Sequence, residues 1–253
     1  MPKVTPGKLW IGTSNIMLPV PRYNFPEAYQ EKSRLHYYAS LFNSLEVNAT
    51  FYKLPRAGTF INWANDVPFD FKFTLKLPKE ITHAKGLIHD PAAIDRFLDT
   101  VKGIGEKKGC VLMQFPASIT AHYMGSLEQI LARFDLNEHS SGWRIAVEFR
   151  HSSWYSKQVY SLLHRYNTVI IIHDIEKGKT PELKQADNFV YLRFHGPEKA
   201  YRGTYHQEYL EEQADQIKKW LKQGKDVYAY FNNSLGTAFA DAWMLKRFVN
   251  DRK

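Results

Sequence analysis

The sequence predicts an α/β fold in which eight parallel strands alternate with helices and close into a single-domain barrel. The length of 253 residues suits one such barrel. Eight short segments rich in β-branched or aromatic residues recur along the chain, and the segments between most of them carry apolar residues at helical spacing. Such alternation favours parallel pairing through crossover helices, and eight strands close a TIM-type (β/α)8 barrel.

The strand predictions rest on composition and length. A doubly wound open sheet is the main competitor, but it usually has fewer strands, and no GxGxxG follows the first segment. The eight predicted strands span residues 9–14, 44–50, 69–77, 109–116, 144–150, 168–174, 189–196 and 226–233.

Apolar stripes with i, i+3, i+4, i+7 spacing predict the helices. The first stripe consists of Leu35, Tyr38, Ala39 and Phe42. The connections after the second and sixth predicted strands are less clearly helical. The other stripes begin at Ile94, Leu127, Val159, Leu210 and Ala238.

Composition predicts a soluble, cytoplasmic protein without a disulfide. Cys110 is the single cysteine, and no apolar run has the length of a secretory signal or of the ~18 residues needed to span a membrane. The net charge of +8 comes from 34 Lys and Arg against 26 Asp and Glu. A basic balance fits a solvated surface, and it also fits an anionic partner, either a phosphorylated small molecule or nucleic acid.

The stretch AVEFRHSSW ends a predicted core strand in charge. Its alternation places Glu148 and Arg150 on one face and Val147 and Phe149 on the other. Other strands end in polar residues in the same way, and an unpaired buried charge costs several kcal/mol, so such repetition is unexpected without a purpose. Because barrel active sites form at the carboxyl ends of the strands, we expect these residues to line a pocket.

The expected pocket holds an acid–base pair and several polar ligand-binding groups. Glu148 is the candidate general base, His195 the candidate general acid, and His83 lies on a loop that could close over the site. Arginine suits carboxylate or phosphate, so the expected ligand is an anionic small molecule. An inert ion-pair network at the strand ends is the competing interpretation. The expected ligand-binding residues are Arg150, Arg193, Lys76, Glu46, Asn48, Gln114, Asp174 and Asn232.

Three other functions stay open at this point. A metal site could use Glu148, Asp174, His173 and His195, although no spaced ligand motif appears and the arginines would oppose a cation. A nucleic-acid-binding or phosphodiester-processing protein would expose aromatic residues such as Trp154 and Tyr201 near the basic mouth. A binding module without turnover is the third. The sequence indicates no particular cofactor and does not predict the oligomeric state.

Several motifs together resemble the YecE-like family, whose members share domain of unknown function 72. The motifs are LWIGTS, LEVNATFY, KLPKEITH, EFRHSSW, YLRFHG and YFNN, in this order over nearly the whole chain. The resemblance implies a TIM-type barrel and no settled activity. Relatives usually continue the first strand as GTSGW, whereas Asn15 and Ile16 stand at the last two positions here.

Overall fold

Strands and helices alternate along residues 5–176, 178–181, 188–198 and 201–251, which a computed structural model describes. The strands are β1 (Leu9–Thr13), β2 (Ser44–Val47), β3 (Lys72–Lys76), β4 (Lys108–Phe115), β5 (Arg144–Phe149), β6 (Thr168–Ile170), β7 (Ile172–His173), β8 (Phe189–Phe194) and β9 (Asp226–Phe231). The α-helices are α1 (Arg34–Leu41), α2 (Ala49–Tyr52), α3 (Ala57–Asn65), α4 (Lys79–Thr82), α5 (Ala92–Val101), α6 (Met124–Leu136), α7 (Lys157–Arg165), α8 (Gln207–Lys222) and α9 (Ala238–Asn250). Short 3-10 helices span Arg22–Asn24, Glu27–Tyr29, Lys85–Leu87, Lys102–Lys107, Ala121–Tyr123, Glu138–Ser140 and Ser152–Trp154.

The chain forms two compact units. Among the described residues, unit 1 contains residues 5–46, 172–175, 188–198 and 201–251. Unit 2 contains residues 47–171, 176 and 178–181. Strand β2 belongs to unit 1 up to Glu46 and to unit 2 at Val47.

The sheet of unit 1 has the strand order β1-β9-β8-β7, and the pairs β1–β9, β9–β8 and β8–β7 are parallel. The register places His173, Arg193, Tyr230 and Gly12 side by side across these strands. Gly12 is required there because a Cβ atom would lie 2.0 Å from the carbonyl oxygen of Ser44. The glycine of the GTS motif therefore permits close backbone packing.

The sheet of unit 2 contains the strands β3-β4-β5-β6 as successive neighbours, and these pairs are also parallel. Gln114 and Glu148 are register partners, so they lie level near the carboxyl ends of β4 and β5. The apolar faces are buried, since Val147 and Phe149 are both 0% exposed. Both units therefore show an α/β fold with parallel strands.

Helix packing follows the predicted apolar stripes. In α1, Leu35, Tyr38 and Ala39 are buried, and the N-cap Ser33 accepts a hydrogen bond from His36 N. In α5, the stripe that begins at Ile94 is buried throughout. The six predicted stripes are confirmed as helical segments whose inner residues are largely buried, in α1, α5, α6, α7, α8 and α9.

Several predicted strands were wrong in extent, and the strand predicted at 69–77 begins only at Lys72. The strand predicted at 44–50 ends at Val47, and Asn48 starts a turn into α2, so Asn48 and Thr50 do not alternate on a strand face. The strand predicted at 168–174 is interrupted at Ile171 and forms β6 and β7. Local turn formation after Val47 overrides the β-branched composition, a frequent source of boundary errors.

Within the described residues, none of the helices combines the length and the apolar character that crossing a bilayer requires.

Candidate functional site

The candidate site residues form two groups, one in each unit. The acid–base pairing of Glu148 with His195 joins residues of different units, and it stays a prediction. The unit 1 group contains Glu46, Asp174, Arg193, His195 and Asn232, and the unit 2 group contains Asn48, Lys76, His83, Gln114, Glu148 and Arg150.

A buried carboxylate organises the group in unit 1. Arg193 donates from Nε and Nη2 to the carboxylate of Glu46, at 2.8–3.1 Å, and the two side chains are 1% and 0% exposed. The hydroxyl groups of Ser14 and Tyr191 donate to the same carboxylate. We call Glu46, Arg193, His195, Asp174 and Tyr205 the unit 1 network.

Electrostatics favour the charged form of Glu46. Burial alone would raise the pKa of this carboxyl, but the charge of Arg193 and the hydrogen bonds from Arg193, Ser14 and Tyr191 hold it below its usual range. Glu46 is therefore an anion at neutral pH and a fixed partner of Arg193. Such a pair is costly to break because removal of one member leaves the other charge buried.

The neighbours of His195 determine its tautomer. Arg193 Nη1 lies 3.3 Å from His195 Nε2, and a guanidinium can only donate, so Nε2 must accept. The proton then resides on Nδ1, which lies 3.4 Å from Asp174 Oδ1. This arrangement favours a neutral imidazole. The acid role expected for His195 stays a prediction.

Asp174 connects His195 to a residue that sequence reasoning missed. Its Oδ1 accepts from the backbone N–H of His195 at 2.9 Å, and Oδ2 accepts from the hydroxyl of Tyr205. Burial raises the pKa of Asp174, but the hydrogen bonds from His195 and Tyr205 overcome it and leave the pKa below its usual value. Tyr205 was missed because it lies in the loop before α8, where no sequence periodicity marks it.

In the FNN motif at the end of β9, Asn233 binds the loop that contains Gly203. Asn233 is fully buried, and its Nδ2 donates to Asp241 Oδ2 at 2.7 Å and to Gly203 O at 3.0 Å. Burial raises the pKa of Asp241. Asn232 is half-buried and its backbone N–H donates to Phe194 O. The second asparagine therefore has an evident structural role, and ligand binding by Asn232 stays a prediction.

Two cationic side chains characterise the group in unit 2. Lys76 Nζ donates to Gln114 Oε1 at 2.9 Å, and Arg150 Nε donates to Glu148 Oε1 at 2.6 Å. Glu148 is 0% exposed, whereas the Arg150 side chain is 13% exposed. We call Lys76, His83, Gln114, Glu148 and Arg150 the unit 2 cluster.

The pKa of His83 is affected by the positive charge of this cluster. It follows α4 and is exposed on one side, with its Nδ1 3.0 Å from the hydroxyl oxygen of Thr82. Partial burial of the ring and then the charges of Lys76 and Arg150 lower the pKa of His83 to about 4. At neutral pH His83 is therefore an uncharged imidazole beside two cations.

The HSSW end of the β5 motif has a structural explanation. Trp154 is 0% exposed and stacks on Phe149 at 4.4 Å, and its Nε1 donates to Ile119 O. Exposure of Trp154, as expected for nucleic-acid binding, was therefore wrong; Tyr201 is 40% exposed. Ser153 N donates to His151 Nδ1, so these neighbours cap a 3-10 helix.

The metal alternative finds no support in the geometry. Across the residues that the structure describes, no group of three or more His, Cys, Asp or Glu side chains could hold a metal ion.

Two surface clefts lie outside the unit 1 network and the unit 2 cluster. One of about 220 Å³ contains Trp143 and Tyr166, and one of about 490 Å³ contains Glu211 and Phe248.

Comparison with known proteins agrees with the resemblance carried by the motifs. The UPF0759 protein YunF of Bacillus subtilis (strain 168) is 26% identical over 249 residues, covering 86% of each chain. The UPF0759 protein YecE of Escherichia coli (strain K12) is 26% identical over 143 residues, 56% of this chain and 51% of that relative.

A solved structure supports the same relationship at the level of the fold. The crystal structure of a DUF72 family protein (EF0366) from Enterococcus faecalis V583 is 21% identical, with a TM-score of 0.78, and covers 98% of this chain and 100% of that one. A family model described as "Protein of unknown function DUF72" matches residues 10–253. Because this match spans nearly the whole sequence, the chain belongs to the DUF72 family of proteins of unknown function.

Proposed function

We propose that this protein binds an anionic small molecule, phosphorylated or carboxylated, at the unit 2 cluster. The observation that supports this most is the convergence of Lys76 and Arg150, whose charges both act on His83 near the carboxyl ends of β3 and β5. A phosphate or carboxylate placed among these groups would offset that positive potential. A half-exposed site of this kind can exchange ligand with solvent.

Specific roles follow from the geometry of the cluster. Glu148 holds Arg150 through Nε and Nη2, which fixes the plane of the guanidinium for bidentate contact with an oxyanion. Gln114 accepts from Lys76 and so orients the ammonium group. In a reaction, Glu148 would be the base, and Glu148→Gln would abolish turnover while leaving the fold intact. A non-catalytic binding module is the alternative when no turnover is found.

Ligand binding by the candidate residues of unit 1 is a separate part of the proposal. Glu46, Asp174, Arg193 and His195 form a network that is largely buried, which supports a positioning role more strongly than direct ligand contact. A nucleic-acid partner remains the second proposal, based on the net charge of +8. It predicts binding that weakens steeply with salt, whereas a small ligand would show a shallower dependence.

Two broader expectations also remain proposals. The closed (β/α)8 barrel is supported by the parallel strands, by the helix alternation and by family membership. An experimental structure with two free sheet edges would contradict it. A cytoplasmic location is supported by the single cysteine of the sequence.

The test uses inorganic phosphate as the probe. Phosphate at a hundred times its dissociation constant should stabilise the protein by about 2.7 kcal/mol relative to chloride at equal ionic strength. Lys76→Met and Arg150→Met should reduce this gain. Lys102→Met should not, because Lys102 lies on the surface beside Asp99, with 55% of its side chain exposed.

The imidazole of His83 provides an independent measurement. Bound phosphate should raise the pKa of His83 from about 4, observed by NMR titration of its ring protons. If phosphate leaves both the melting temperature and this titration unchanged, the proposed function is wrong. Stabilisation that persists in both cluster variants would place the anion elsewhere.

A further inference from the structure

We propose that the unit 2 cluster selects anions that carry an aromatic ring, such as an aryl phosphate or aryl carboxylate. This inference rests on the proposed function and adds a second recognition element to it. Beside the cations, the cluster contacts the ring of Phe51, and Phe51 in turn contacts Tyr52, which is strongly exposed to solvent.

Phe51 connects the cationic and aromatic parts of the site. Lys76 Nζ lies 4.1 Å from the centroid of the Phe51 ring, a distance at which an ammonium is attracted to the ring face. The rings of His83 and Tyr52 approach Phe51 edge-on, at 4.8 Å and 5.0 Å between centroids. Three aromatic rings and one ammonium group therefore form a continuous set of contacts.

Local structure holds this set in place. Phe51 belongs to the single turn of α2 and is 9% exposed, so its ring is fixed by packing. Thr50, in the same turn, donates from its hydroxyl to the backbone oxygen of Lys76 at 2.7 Å. This hydrogen bond connects α2 to the carboxyl end of β3, directly at the residue that supplies the cation.

Exposure identifies the surface that a ligand ring would contact. Tyr52 is 73% exposed, and His83 is exposed as well, while Phe51 between them is buried. A neutral imidazole and a phenol present flat faces that stack with another ring. The ammonium and the Tyr52 ring both contact Phe51, and the proposal places the anionic end of a compact aryl ester at the ammonium and its ring against Tyr52.

In this proposal the cations and the Tyr52 ring act together. The cations alone recognise charge and would take any small oxyanion, whereas Tyr52 adds contact area only for a ligand with a flat apolar group. Stacking contributes about 0.5–1.5 kcal/mol beyond area burial, so phenyl phosphate should bind about two- to tenfold more tightly than methyl phosphate, a monoester of similar charge. Selectivity, and not overall affinity, is the property assigned to Tyr52.

The experiment measures the dissociation constants of phenyl phosphate and methyl phosphate in wild type and in three variants. Wild type and Tyr52→Phe should prefer phenyl phosphate, since both keep the ring, and Tyr52→Ala should lose the preference while still binding methyl phosphate. Tyr23→Ala is the matched control, because Tyr23 is 82% exposed but lies in unit 1. Its preference should equal that of wild type.

Each other outcome has a definite meaning. If neither ester binds wild type, the proposed function fails, and this inference fails with it. If the esters bind equally well, the anion site stands but aromatic selectivity is overturned. A preference that survives in Tyr52→Ala, or that is also lost in Tyr23→Ala, equally overturns the role of Tyr52.

Discussion

Each unit contains a buried glutamate that pairs with an arginine, yet the two pairs differ in the exposure of the cation. Arg193 in unit 1 is 1% exposed, whereas Arg150 in unit 2 is 13% exposed and lies close enough to His83 to depress its pKa. A glutamate–arginine pair therefore forms part of a buried network in unit 1, and another such pair forms part of an accessible cationic cluster in unit 2. Exposure of the cation, not the identity of the pair, separates the two roles.

The largest expected effect is the loss of stability when the buried cation is removed. Arg193→Met should lower the free energy of unfolding by about 3–5 kcal/mol, because Glu46 would lose the charge that compensates its burial. Arg150→Met should cost less, since water can reach the exposed edge of that site. Urea denaturation of both variants measures the difference.

A surface pair provides the control for this comparison. Arg96 pairs with Asp90, and both side chains are more than half exposed, so Arg96→Met should leave the free energy of unfolding almost unchanged. Equal losses in Arg193→Met and Arg96→Met would contradict the assignment of Glu46 and Arg193 as a buried charge pair.

The second expected effect is a dependence on acid pH specific to Glu46. The pKa of Glu46 is lowered in the folded protein, so its contribution to stability is complete above the unfolded value and is lost as pH falls through the folded value. The stability difference between wild type and Glu46→Gln should therefore be constant above about pH 5.5, one unit above the ordinary glutamate pKa of 4.5, and should narrow below it.

The narrowing should approach about 1.4 kcal/mol per pH unit between the unfolded and folded pKa values. Urea unfolding at a series of pH values from 6 to 3 measures it. A difference that stays constant across this range would show that Glu46 does not titrate with a lowered pKa.

The fold was predictable to the extent that it depends on periodic patterns. Apolar stripes are repeated several times, so six helices and the parallel strands could be placed from composition and spacing alone. Helices α2, α3 and α4 follow no predicted stripe. The strand predicted to reach Thr50 was wrong because the turn after Val47 depends on packing of α2, including the bond from Thr50 to Lys76 O. Ile171 interrupts another strand without a local signal that we can identify.

The site was predictable where residues lie at strand ends. Glu148, Arg150 and Arg193 follow from strand alternation, because a polar residue at the end of an apolar strand is conspicuous. Tyr205 and Asp241 were missed, since a loop tyrosine and a helical aspartate carry no periodic signal, and only the tertiary structure brings them to Asp174 and Asn233. Pairing across long sequence separation is the information that one sequence lacks.

The smallest expected effect concerns Tyr205 and tests how far the unit 1 network extends. Its hydroxyl donates to Asp174 and accepts from the backbone N–H of Gly196 at 2.6 Å. Tyr205→Phe keeps the ring, which stacks on Tyr209 at 5.3 Å, and removes only these two hydrogen bonds. The protein should lose about 1.5–3 kcal/mol of stability, the range for a hydrogen bond to a charged group.

Tyr209→Phe is the matched control because it removes a phenol hydroxyl from the adjacent ring of the same stack. No hydrogen bond from the Tyr209 hydroxyl occurs within the described part of the chain, so this change should cost a few tenths of a kcal/mol at most. Paired melting curves of the two variants decide the question. If Tyr205→Phe costs no more than Tyr209→Phe, the network ends at Asp174, and the contrast with the unit 2 cluster rests on Glu46 and Arg193 alone.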